Sequence, residues 1–226
     1  MRRRRWRLNK TRLQPIGLLC VSLALAVLPL QGQAAAQEQV RLERPVPGQS
    51  KMQLAAAMRK LWMEHVIWTR NYIVSAVDGL ADQDQVLARL LKNQQDIGDA
   101  IKPFYGEAAG HKLAELLREH IVIAGKIVGA AKQGDQAQVQ QYNKEWYRNA
   151  DDIAEFLSRA NPHWPKKEVL AMLHRHLELV ADALRARLQK DWEADIRAFD
   201  QGEEHILMLA DTLSQGIQKQ FPKKFR

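Results

Sequence analysis

Apolar residues recur at every third and fourth position from Lys51 onward, and almost no stretch alternates apolar with polar residues. This spacing is typical of one face of an α-helix, and the missing period-two alternation argues against strands. Breakers such as Asp78-Gly79 and Pro103-Phe104-Tyr105-Gly106 interrupt the pattern in only a few places. We therefore predict an all-α fold, a six-helix bundle in one domain spanning residues 51–226. The predicted helices lie near residues 51–77, 82–101, 107–132, 136–159, 166–189 and 191–218.

A short segment centred on a histidine recurs three times along this domain. Residues 61–66 (LWMEHV) are followed by residues 116–121 (LLREHI) and 172–177 (MLHRHL), at intervals of about 55 residues. Each unit is long enough for two helices and a turn. The interval predicts that the bundle consists of three antiparallel helical hairpins.

Polar residues also recur in the second half of each unit. Asn93, Asn149 and His205 follow the three histidines at almost the same interval, and Asp96 and Asp152 follow the two asparagines. At a rise of about 1.5 Å per residue, the two halves of each hairpin reach the same height at these positions. If the hairpins close around one axis, we expect a single layer of histidine and carboxylate side chains in the core; a row of hairpins would keep them apart.

Three interpretations of this layer stay open: a metal site, a purely architectural layer, and acid-base catalysis by a His-Asp pair, which has no motif behind it. Imidazole and carboxylate suit divalent transition metals, and helical bundles hold such ligands on facing helices. The candidate metal ligands are His65, Asp96, His120, Asp152, His176 and His205. In the alternative, each histidine bonds an amide or acid across its own hairpin, and the pairs only fix the fold.

The sequence favours a non-enzymatic protein over an enzyme. The Glu-x-x-His pairs of ferritin-like di-iron bundles are missing, since Glu119 directly precedes His120 and Gly202 stands three residues before His205. No serine lies in a nucleophile elbow, and no glycine-rich phosphate loop occurs. The His-Asp pairs alone predict no reaction.

Residues 1–36 have the features of a secretory signal peptide: a basic head, an apolar run over 16–30 and a small-residue tail. The apolar run is too short for a membrane-spanning helix, which takes about 20 residues, so we expect no stable membrane span after cleavage. Residues 37–50, with two prolines and a glycine, read as a flexible leader. These features predict an exported protein, periplasmic or secreted. After cleavage it would have no cysteine, because Cys20 is the only one.

The net charge of +8 does not predict a nucleic-acid partner. Residues 1–36 hold seven of the 34 basic residues and none of the 26 acidic ones, which leaves 27 basic against 26 acidic residues in the remainder. A nearly neutral domain cannot neutralise the many phosphates on which non-specific binding depends. The sequence identifies no protein partner.

The stretches LWMEHVIWTR at 61–70, NQQDIG at 93–98 with PFYG at 103–106, and QFP at 220–222 carry a family resemblance. In these stretches the chain resembles an uncharacterised family of small exported bacterial all-helical proteins. The resemblance covers residues 55–225 and implies a bacterial source and a compact helical domain. It implies no activity.

Overall fold

The structure is a computed structural model that describes residues 50–225. The predicted signal peptide, and the predicted leader apart from Ser50, lie outside the described residues. Residues 50–225 contain no strand, and they form a short 3-10 helix, Pro222–Lys224, after six α-helices. The helices are α1 (Lys51–Asp78), α2 (Gln83–Tyr105), α3 (Glu107–Gln133), α4 (Gln136–Ala160), α5 (Lys166–Gln189) and α6 (Trp192–Gln220). The predicted all-α six-helix bundle is confirmed.

Local sequence signals account for most helix ends. Ser50 and Gln53 form a capping box at the start of α1, and Gly79 ends that helix in the left-handed conformation. Asp135 and Asp191 cap α4 and α6 by accepting backbone N–H groups. The connections are short, so successive helices pack as antiparallel neighbours.

The predicted end of α2 near residue 101 is wrong, because the helix continues through Pro103 to Tyr105. Proline lacks a backbone N–H and disfavours the helical conformation of the residue before it. Here it lies in the last turn, where it removes only one helical hydrogen bond. The amide of Gly106 still donates to the Lys102 carbonyl at 2.8 Å and closes the helix.

The bundle closes on itself. Each helix packs against the next along the chain, and α6 packs against α1, so that the six helices surround one core. Helix α1 also contacts α3 and α5. The closure brings together the helices that carry the three repeated histidines. No helix within residues 50–225 is long and apolar enough to cross a membrane.

Candidate functional site

Three of the predicted histidines meet in the core. His65 on α1, His120 on α3 and His176 on α5 are at most 4 % exposed. The Nε2 atoms of His65 and His176 are 3.4 Å apart. The ring centroids of His65 and His176 lie 5.4 Å apart, and the His120 ring lies 6.5 Å from His65 and 6.1 Å from His176. We call these three residues the histidine cluster.

Side-chain amides on α2 and α4 orient two of the three rings. The Nδ1 of His65 lies 3.2 Å from Gln94 Oε1, and the Nδ1 of His120 lies 2.9 Å from Asn149 Oδ1. Each amide nitrogen is itself engaged: Gln94 Nε2 donates to the Leu90 carbonyl, and Asn149 Nδ2 donates to the Leu116 carbonyl. The amide oxygens therefore accept, and both Nδ1 atoms carry the proton. This tautomer leaves the lone pairs of His65 and His120 on Nε2.

The third ring lacks such a partner. His176 Nδ1 is buried and has no hydrogen-bond partner in the described structure. A proton on Nδ1 would leave a buried N–H unpaired and two Nε2 lone pairs facing each other, so the proton belongs on Nε2, where it is donated to His65. A buried lone pair on His176 Nδ1 is left without a donor.

Burial keeps the cluster uncharged. It lowers the pKa of His65 to about 4 and, together with repulsion from His65, the pKa of His120 to about 3. Burial also lowers the pKa of His176 well below its usual value, with additional repulsion from the other histidines. All three rings are therefore neutral at pH 7. Neutral imidazole is the form that binds metal ions.

His205 takes a different role from the one predicted. Its Nε2 donates to the Met172 carbonyl at 2.7 Å. Asn93 and Asn149 donate in the same way to the carbonyls of Leu61 and Leu116, at 3.0 and 3.1 Å. Each of these carbonyls belongs to the residue four positions before a histidine of the cluster. His205 thus stands in the place of an asparagine and joins α6 to α5.

The two predicted carboxylates do not join the layer, so the prediction of a mixed histidine and carboxylate layer is wrong in its acidic half. Asp96 forms an ion pair with Lys92 on its own helix, and Asp152 is exposed. Inward-facing positions on α4 include Asn149 and Ile153, and a residue adjacent to Ile153 points about 100° away from it. This spacing directs Asp152 away from the core.

Gln94 was missed, although the sequence contains a signal for it. The interval from His120 to Asn149 equals the interval from His176 to His205, and the same count from His65 reaches Gln94. Asn93, one residue earlier, was predicted in its place. In the first unit two residues make the two hydrogen bonds that Asn149 makes alone in the second. Asn93 donates to the Leu61 carbonyl, and Gln94 accepts from His65.

Within residues 50–225, no group of three or more His, Cys, Asp or Glu side chains has its donor atoms arranged to hold one metal ion. His65 and His176 supply two donor atoms at a spacing that suits one ion. Two nitrogens bound at Zn–N distances of about 2.0–2.1 Å to one tetrahedral ion are about 3.4 Å apart, which equals the separation of these two Nε2 atoms. The His120 ring lies farther from these two rings, at centroid distances of 6.5 Å from His65 and 6.1 Å from His176.

Comparison of the chain with models of protein families, with curated proteins and with solved structures found no match.

Proposed function

We propose that this protein is a non-enzymatic metal-binding bundle of the bacterial cell envelope, which holds a divalent transition metal ion at His65, His120 and His176. The observation that carries the proposal is the 3.4 Å separation of the His65 and His176 Nε2 atoms, the spacing of two ligands on one ion. The pattern of residues 1–36 supports export. The three histidines are at most 4 % exposed, which argues against turnover of a substrate.

The hydrogen bonds around the cluster support metal binding. Histidine ligands usually donate their second ring N–H to an oxygen acceptor, which sets the tautomer and the ring orientation. Gln94 and Asn149 provide such acceptors for His65 and His120. For a metal ion to bind between His65 and His176, the proton on His176 Nε2 would move to Nδ1, so that the ring stays neutral and its Nε2 lone pair can face the ion.

His120 completes the site after a small movement. Three imidazoles on one tetrahedral ion have ring centroids roughly 5 Å apart, so the His120 ring has to approach the other two by about 1 Å. Imidazole suits zinc, copper, iron and nickel, and the cluster offers no feature that selects one of them.

In a second candidate function the polar residues around the cluster only stabilise the fold, and the hydrogen bonds between paired helices favour it. Three side chains each join one helix to a backbone carbonyl of the helix before it: Asn93 joins α2 to α1, Asn149 joins α4 to α3, and His205 joins α6 to α5. Such bonds satisfy buried polar groups and fix the register between helices. In this case the bundle would act through its surface, as a structural or partner-binding protein.

Elemental analysis of the protein purified without chelator, followed by zinc titration, separates the two candidates. We expect close to one metal ion per chain in the wild type and none in His176→Leu. The matched control is His174→Leu, two residues away on α5, because His174 is partly exposed and bonds Asp151 on the surface. This control should bind like the wild type.

His176→Leu is chosen because it leaves no amide without its partner and removes the unpaired Nδ1. Circular dichroism and thermal unfolding should therefore show a folded variant. A wild type that binds none of zinc, copper, iron and manganese would contradict metal binding. A large loss of stability in His65→Ala/His120→Ala would then support the architectural function.

A further inference from the structure

Two small cavities in the core share part of their walls, and the first of them borders the histidine cluster at His176. The first lies between α1, α5 and α6, has a volume of about 30 Å³, and includes His176 in its lining. The second, also about 30 Å³, lies toward α3 and α4, beside Ile121 and Trp146. Thr69, Ile73 and Val180 line both cavities. The two spaces are therefore separated by single side chains.

The cavity walls consist almost entirely of carbon atoms. Among the polar residues of the walls, the Thr69 hydroxyl donates to the His65 carbonyl at 2.7 Å, and Arg70 forms two hydrogen bonds with Asp195. In the wall of the first cavity, the Nδ1 of His176 is the one buried polar side-chain atom without a partner in the described structure, and one acceptor does not hold a water molecule. A water molecule in a cavity requires two or more polar partners, and these walls offer few, so they favour an apolar guest over water. A water-sized sphere takes about 10–15 Å³, so each cavity has room for roughly two.

Gly202 is a half-buried residue in the wall of the first cavity. It lies within α6 and lines the cavity, and a Cβ atom added to it would meet nothing within 4 Å. Glycine is less favourable than alanine inside a helix, so replacing Gly202 by a residue with a side chain would not destabilise α6. The space that a side chain at Gly202 would occupy is therefore open.

We propose that the first cavity binds a small uncharged apolar molecule of two heavy atoms, of the dioxygen class, which enters beside Gly202 and reaches the wall formed by His176. From there Thr69, Ile73 and Val180 separate it from the second cavity. This inference goes beyond the proposed metal site and requires no metal ion. It can therefore be tested on metal-free protein.

Methyl NMR under dioxygen pressure tests the proposal, with dinitrogen at the same pressure as the diamagnetic control. Dioxygen in the cavity should increase the relaxation rates of the Val66, Ile73, Leu179 and Val180 methyl groups, which line it. The increase should saturate with pressure and exceed several-fold that of the Val122 methyls, which are exposed on α3. Equal effects at Val122 and in the cavity would overturn the proposal.

Gly202→Leu should fill the proposed entrance and abolish the increase. Gly129→Leu is the matched control, since Gly129 is also a helical glycine with open space around its Cβ position, and it lines neither cavity. A wild-type response in Gly202→Leu would contradict the proposed binding. If Gly202→Leu does not fold, Ala183→Leu fills the same cavity from α5 and replaces it in the test.

Discussion

At the residue scale, the three histidines of the cluster have equivalent places but different partners. His65 and His120 each bond an amide oxygen, whereas His176 bonds none through Nδ1. The difference arises at the position that follows each histidine at the same interval, where the third unit has His205 instead of an amide. A histidine whose Nε2 donates to the Met172 carbonyl can replace the amide nitrogen of asparagine, but it has no carbonyl oxygen for His176.

His205→Asn should therefore raise the metal affinity. Asparagine can donate to the Met172 carbonyl and accept from His176 Nδ1, as Asn149 does for Leu116 and His120. The new bond would turn the His176 Nε2 lone pair toward the ion, and partners of this kind change metal affinity by about 10–100-fold. Zinc competition titrations measure the change, and Asn149→Ala should show the opposite effect. An unchanged affinity in His205→Asn would argue against the tautomers assigned to the cluster.

The lowered pKa values predict that metal-free protein loses stability in mild acid. His65 and His120 have pKa values of about 4 and about 3 in the folded protein, against 6.5 for an unperturbed histidine. The unfolded chain therefore binds more protons below pH 6.5, and folding becomes less favourable as the pH falls. The free energy of unfolding is therefore independent of these histidines' protonation above pH 6.5. It declines toward pH 4, by up to about 1.4 kcal/mol per pH unit for each histidine.

Urea unfolding at about pH 7.5, 6.0 and 5.0 in the presence of chelator measures this dependence, from about one unit above the unperturbed pKa of 6.5 to about 1.5 units below it. His120→Leu should reduce its slope, because one neutral imidazole is removed from the core. A free energy of unfolding that does not change with pH would contradict the neutral buried state of the cluster.

At the scale of helices and turns, the chain follows its local signals closely. The predicted helix starts near 82, 107, 136 and 166 agree with the structure within about one residue, because caps and breakers act over a single turn. The boundary between α5 and α6 differs from the other turns in its residue type. Lys190 ends α5 in the left-handed conformation, with φ of 59°, where glycine stands after α1 and α3. A side chain makes this conformation unfavourable.

Lys190→Gly should raise the free energy of unfolding by about 0.5–1 kcal/mol, because glycine adopts the left-handed conformation without a Cβ penalty. Chemical denaturation measures the change. The matched control is Lys144→Gly, an exposed lysine inside α4, which should lower the free energy of unfolding by about 1 kcal/mol. A loss of stability in Lys190→Gly would show that the lysine side chain outweighs its backbone conformation.

At the scale of the whole molecule, contact between the first and last helices closes the bundle. Arg70 on α1 donates two hydrogen bonds to Asp195 on α6, at 2.6 and 3.0 Å, and Asp195 is only 1 % exposed. Arg187 on α5 lies 3.5 Å from the same carboxylate. This group ties together three helices that also line the first cavity.

Asp195→Ala should lower the free energy of unfolding by about 3 kcal/mol, because it leaves Arg70 without the carboxylate in a largely buried place. Asp211→Ala is the matched control. It breaks the ion pair with Arg59, which also joins α6 to α1 but is exposed, and should cost less than about 1 kcal/mol. Equal effects in thermal unfolding would mean that Asp195 contributes no more than a surface ion pair.

The sequence by itself determined the helices, most of their ends and the inward direction of the repeated histidines. These features depend on spacing along one helix and on capping within one turn, both of which are local. Asp96 and Asp152 show the limit of this reasoning, since an interval counted between helices does not tell which side of the helix a residue occupies. The internal repeat of three hairpins stays a prediction.

Only the tertiary structure decided that the cluster exists. The contact between α6 and α1 closes the bundle, and this closure brings rings from α1, α3 and α5 to within 6.5 Å of one another. It also decided the choice of Gln94 over Asn93 as the partner of His65, and the unpaired Nδ1 of His176. Such contacts join residues far apart in the chain, and they depend on how all six helices pack at once.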